Sequence, residues 1–219
     1  MNKGVGYLLL FSLLTGMGGY FVKLVIGVSS EQILFARGVL ACIFLFGVAV
    51  FSGRIEDLKL KHPLGTLLMG LVEGLSIYFY YRALETTTIT NTTLLVYTAP
   101  VFSVILAAIF LKEKVERRTI LGIFVSFLGV LIVSDPTKFS VNPVHMWGSI
   151  YALLGGFFYS AMAISSKSIN EKTTPLYAAF WQYKVIVGLS AWFALPMSTN
   201  QLSTNVTPLL YLGWAAGGL

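Results

Sequence analysis

Three charged side chains stand inside apolar runs, where their chemistry would be most consequential. Glu73 follows Pro63 by ten residues, which along a helix places it roughly 15 Å into a bilayer. A carboxylate at that depth is costly unless it is paired, protonated or facing water, so proton exchange and binding of a substrate amine are its natural uses. The competing reading is a structural acid buried against an Arg or Lys of another helix. At helical spacing Glu73 shares a face with Thr66, Met69, Ile77 and Tyr80, a set able to line a cavity. Lys184 stands ten residues after Thr174, again near the middle of a run. Tyr177, Phe180, Trp181 and Gly188 share its face, and a cation beside aromatic rings and a small residue suits an anionic or zwitterionic organic molecule. Alternatively Lys184 snorkels to the interface or pairs with Glu73. Arg37 enters the second run by about one and a half turns. Its planar fork could grip a substrate carboxylate bidentately, or it anchors the helix at the interface.

Backbone and small residues add a second layer. Pro100 removes a donor from the fourth run and frees the carbonyl of Val96, which inside a membrane needs another partner. Thr93, Tyr97 and Pro100 recur on one face there, either as a pathway wall or as a packing kink. Gly16, Gly18 and Gly19 with Ser12, and Gly155 and Gly156 with Ser160, read as faces for close helix packing. Arg82 beside Glu85 reads as an interface anchor, and the cluster from Lys112 to Arg118 as a solvated turn. No catalytic constellation is present: there is no GxSxG, HExxH, phosphate loop or paired-carboxylate motif, so catalytic residues, cofactor and metal are all expected to be none. His62 and His145 are too far apart in the chain to suggest a local metal site.

The elements that must position these residues are membrane helices. Of 219 residues 56% are apolar and only 11% charged, so lipid is the expected solvent for most of the chain. The net charge of +6 sits in short segments between apolar runs, as topology signals rather than a nucleic-acid surface. Cys42 is the single cysteine, which excludes an intrachain disulfide. Spans are expected at 4–26, 31–51, 64–84, 89–111, 118–134, 147–168 and 175–196, with an eighth beginning near Pro208 and stopping short. The first is read as a retained helix rather than a signal peptide, because its apolar stretch is too long. Alternate loops carry ten cations on one side and two on the other, which predicts a cytoplasmic N-terminus.

A faint internal repeat accompanies the spans. A shift of 144 residues superposes Gly4 on Gly148, Tyr7 on Tyr151 and Lys23 on Lys167. Shifts one residue either way superpose Phe35 on Phe180, and Gly70 and Gly74 on Gly213 and Gly217. Five spans precede the second copy, so it enters from the opposite face, the inverted plan of secondary transporters with a site between the halves.

With these features, FARGVL at 35–40, an aromatic-rich third span ending in RAL at 82–84, TAP at 98–100, FLKEKV at 110–115 and LGIFVSFLGVLIV at 121–133 resemble the EamA-type permeases of the drug/metabolite transporter superfamily. The resemblance implies an all-α polytopic membrane protein of two inverted five-helix repeats with both ends cytoplasmic. Residues 1–135 would form the first repeat, 136–146 an external linker and 147–219 a second repeat that ends within its third helix. It also implies a plasma-membrane exporter or exchanger of a small polar or amphiphilic metabolite, such as an amino acid or drug-like compound, with proton coupling as an option. The expected substrate-binding residues are Glu73, Tyr80, Arg37, Tyr97, Trp181 and Lys184, with Pro100 as the helix kink. The alternative is a truncated, non-transporting module that needs the missing helices or a partner.

Overall fold

The computed structural model describes residues 3–112, 115–133, 146–170, 172–194 and 198–215, and among these every regular element is helical. In chain order they are α1 Lys3–Gly16, α2 Gly18–Leu24, α3 Ser30–Phe51, a 3-10 turn Ile55–Leu58, α4 Pro63–Thr86, α5 Ile89–Val96 and α6 Ala99–Phe110. There follow α7 Arg117–Val133, α8 Met146–Asn170, α9 Pro175–Ala194, α10 Thr199–Thr204 and α11 Val206–Leu210, which runs into a π-helical turn Tyr211–Ala215. The chain is thus an all-α polytopic membrane protein. The expected linker up to residue 145, Glu113 and Lys114 of the charge cluster, His145 and Gly217 lie outside the described residues.

Each of the seven expected spans corresponds to helix, but two are interrupted. The first breaks at Met17 between α1 and α2, and a Cβ added at Gly16 or Gly18 would meet no atom within 4 Å. Those glycines therefore mark a helix break, not the close helix contact expected from their spacing. The fourth breaks at Tyr97 and Thr98, just ahead of Pro100. Proline is tolerated in the first turn of the new helix because its missing donor would have been unsatisfied there anyway.

Among the described residues four helices are long and apolar enough to cross a membrane alone: Ser30–Phe51, Pro63–Thr86, the joined Ile89–Phe110 and Met146–Lys167. The other expected spans are shorter or carry polar residues, as α9 does with Gln182, Tyr183 and Lys184 at its centre. Phe51, Ile132 and Trp192 are 94%, 80% and 87% exposed. In water such surfaces would cost about 25 cal/mol per Å², and hydrocarbon removes that cost.

Polar caps mark where the chain turns. Ser29 opens α3 with a capping box, its hydroxyl accepting from the Gln32 N–H at 3.3 Å while Gln32 accepts from the Ser29 N–H at 3.0 Å. Thr88 caps α5 by accepting from the Asn91 N–H at 3.1 Å. These bonds satisfy helix-start donors that no preceding carbonyl can reach.

By packing, the chain divides into two units, residues 1–71 with 172–219, and residues 72–171. In the first, the crossing of α3 on α9 dominates, and glycines set its closeness. A Cβ at Gly38 would lie 2.7 Å from Val187 Cγ2, and one at Gly70 would lie 2.5 Å from Val185 Cβ. In the second, α8 packs against α5 and α6, with Phe79 stacked on Phe158 at 5.6 Å between ring centroids.

Candidate functional site

The first unit gathers Arg37, Trp181 and Lys184, three of the expected site residues, on and around the α3–α9 crossing. Gly38 lets the helices approach until its Cβ position is 3.5 Å from the Tyr183 carbonyl. Arg37, the next residue, then reaches Tyr183: an Nη2 donates to the phenol oxygen at 3.2 Å, and the guanidinium carbon lies 5.9 Å from the ring centroid. Tyr183 was not singled out by spacing, and its signal is visible only afterwards, in the run Gln182-Tyr183-Lys184 at the centre of an apolar helix.

Trp181 is more committed to structure than a simple wall residue. Its indole N–H donates to the Leu58 carbonyl at 2.8 Å, tying α9 to the turn after α3. The same ring carries the Lys184 ammonium 4.2 Å from its centroid, a cation–π arrangement. Lys184 is itself exposed and Arg37 half-buried, so the unit presents two cations, each on its own aromatic support. Such a surface is suited to a carboxylate or another organic anion.

The second unit holds Glu73, Tyr80, Tyr97 and Pro100. Glu73 is only 8% exposed. Its helix is drawn against α8 by Gly155, whose Cβ position lies 3.3 Å from the Tyr80 nitrogen and 3.5 Å from the Ser76 carbonyl. The Ser76 hydroxyl adds a bond to the Gly155 carbonyl at 3.2 Å. Gly156 faces the other neighbour: its Cβ position is 3.0 Å from the Val96 carbonyl, the group that Pro100 leaves without its usual helical donor. Ser160 donates to the Ala99 carbonyl at 2.6 Å across the same seam. One small-residue stripe on α8 therefore docks both α4 and the broken helix, as its composition predicts.

That docking brings in Tyr159, a residue the spacing argument did not name. Tyr159 lies within electrostatic reach of both Glu73 and Tyr97, and it and Tyr97 are 49% and 53% exposed. The unit thus holds a buried acid with the half-exposed Tyr159 phenol in its electrostatic reach. A buried carboxyl suits a substrate cation or a proton. Arg82 donates to Glu85 at 2.9 Å, and its guanidinium carbon lies 6.0 Å from the Tyr151 ring centroid. No group of three or more His, Cys, Asp or Glu side chains is arranged to hold a metal among the described residues.

Comparison with known proteins places this geometry in context. Residues 2–135 match the EamA-like transporter family. An uncharacterized transporter of Helicobacter pylori strain 26695 is 27% identical over 170 residues, covering 77% of this chain and 56% of the relative. An S-adenosylmethionine uptake transporter of Rickettsia bellii is 25% identical over 210 residues, covering 95% of this chain and 68% of the relative. A solved crystal structure superposes with a TM-score of 0.74 at 17% identity, covering 96% of this chain and 73% of that one, which shows a shared fold. The chain spans little more than half the length of the Helicobacter relative.

Proposed function

Because this chain belongs to the EamA-like transporter family, we propose that it is a secondary transporter of a small polar or amphiphilic metabolite. The substrate class would be an amino acid or amino-acid derivative, moved across the plasma membrane by alternating access. The observation that carries this reading is the pair of opposite chemistries built from intramembrane residues. Arg37 and Lys184 sit on aromatic supports in one unit, and Glu73 sits with Tyr97 and Tyr159 in the other. Taken separately, the first set suits a carboxylate and the second a cationic group, the two charges that an amino acid carries. The S-adenosylmethionine uptake relative supports this class, because such a substrate carries a carboxylate, an ammonium and a sulfonium.

Export and exchange are the directions the family resemblance suggests, whereas that relative's name specifies uptake, so the test runs both ways. Proteoliposomes loaded with, or bathed in, labelled amino-acid derivatives should show flux that competes with unlabelled compound. Flux that rises with an imposed pH gradient would support proton coupling. Empty-liposome rates in every direction and with every compound would sink the transport reading and favour a module that requires further helices.

Arg37 provides a narrower test. Arg37→Lys keeps the charge but loses the fork held by Tyr183, so KM for a carboxylate-bearing substrate should rise about fivefold with kcat preserved. An unchanged KM would assign Arg37 to the interface instead.

A further inference from the structure

The first unit contains two clasps that exchange into one another. At one end, Tyr177 on the first turn of α9 holds the approach to α4: its phenol oxygen accepts from the Lys61 N–H at 3.2 Å and the His62 N–H at 3.1 Å. With both lone pairs engaged, the phenol proton is left for Thr66 Oγ1 at 2.9 Å. Trp181 secures the same stretch through the Leu58 carbonyl. Tyr177 is fully buried and Thr66 is 1% exposed, so these bonds are shielded from competing water.

At the other end, Asn205 holds the approach to α3. Its Oδ1 accepts from the Ile26 N–H at 2.9 Å, and its Nδ2 donates to the Ile26 carbonyl at 3.1 Å. Gln201 adds a bond to the Gly27 carbonyl. Asn205 is 1% exposed.

The repeat seen in the sequence relates the two ends. Asn205 lies 143 positions after His62, the shift that superposes Gly70 on Gly213. The packing below each clasp follows the same exchange. Gly70 presses on Val185 of α9, and Gly213 presses on Leu40 of α3, where an added Cβ would run into Leu40 Cβ. Leu40 and Val185 are themselves 145 positions apart, the shift that relates Phe35 to Phe180. One clasp ties the first turn of α9 to the entry of α4, and the other ties the connection just ahead of α3 to the entry of α11. Only the chemistry differs, a phenol at one end and a carboxamide at the other.

We propose that these clasps are the two opposed gates of the unit, Tyr177 closing the end that carries residues 58–66 and Asn205 closing the end that carries residues 26–27. The proposal rests on the alternating-access reading above. Each gate concentrates its bonds on one side chain, so one rotamer change releases several bonds at once. A transporter must release one end while the other stays shut, and two clasps of unlike chemistry allow their strengths to be set separately.

The test needs no substrate, so its failure is distinguishable from failure of the transport assay. Met69 and Leu212 lie seven residues beyond His62 and Asn205, and both are buried, at 0% and 1% exposure. Each is replaced singly by cysteine in a Cys42→Ser background, and labelling by a membrane-impermeant maleimide is timed from either face in membranes. Tyr177→Phe keeps the ring and loses the bonds. It should accelerate labelling at M69C at least about fivefold to tenfold, the shift that the net loss of even one of its three hydrogen bonds produces, and leave or slow labelling at L212C. Asn205→Ala should do the reverse. Parallel acceleration at both reporters, or none at either, would overturn the gate assignment. If Asn205→Ala fails to reach the membrane, the contrast between the two reporters under Tyr177→Phe decides alone.

Discussion

Glu73→Gln is expected to slow transport about tenfold or more, the loss that follows from removing a charge-assisted hydrogen bond to substrate or proton carrier, and to abolish any response to a pH gradient. Glutamine keeps the volume and most of the hydrogen-bonding capacity of the acid, so packing of α4 against α8 through Gly155 and Ser76 is preserved. What it cannot do is carry a charge or exchange a proton. Glu73 is 8% exposed, and Tyr159 lies within its electrostatic reach, so a change of charge at this carboxyl is felt by its neighbours. Thermal stability in detergent should change far less than rate. Matched rates and matched pH profiles for the two proteins would remove Glu73 from the mechanism. A fall in stability that parallels the fall in rate would make it a structural acid.

Gly70→Ala is expected to destabilise the first unit by about 2 kcal/mol or more, toward the upper range for overpacking a dense core. The added carbon would lie 2.5 Å from Val185 Cβ and 3.1 Å from the Gln182 carbonyl. A β-carbon is fixed to its backbone, so no rotamer change relieves the clash, and the helices must separate. Thermal unfolding in detergent reads the loss directly. Val185→Gly removes the opposing atom at a helix-propensity cost of under about 1 kcal/mol, because valine is already a poorer helix former than alanine. The double variant should therefore be more stable than Gly70→Ala alone, a non-additivity that a double-mutant cycle measures. Simple additivity would mean that the two positions do not press on each other.

Several outcomes were legible in the chain because they depend on local or averaged properties. Apolar runs bounded by charges located the helices, and motifs such as TAP and FLKEKV carried the family resemblance. Pro100 announced a freed carbonyl, and Gly155, Gly156 and Ser160 announced a docking stripe, since backbone chemistry and side-chain size can be read one residue at a time. Other outcomes depend on which atoms meet. Gly16 and Gly18 share the small size of Gly155 and Gly156, yet a Cβ at either would meet only open space. Composition states that a close approach is permitted, and not that a partner is present.

The sequence by itself determined that this protein is helical, membrane-spanning and of the EamA type, because hydrophobic length and motif order are properties of the chain alone. Only the tertiary structure decided that Arg37 rests on Tyr183, that Tyr159 comes within electrostatic reach of Glu73 and Tyr97, and that Trp181 anchors a turn, whereas the Lys184–Trp181 pair was already legible in their helical spacing. The physical reason is range. Helix formation is fixed by neighbours along the chain, whereas Arg37 meets Tyr183 across 146 positions and Trp181 meets Leu58 across 123, and in apolar helices most side chains give no sign of which distant partner they will meet.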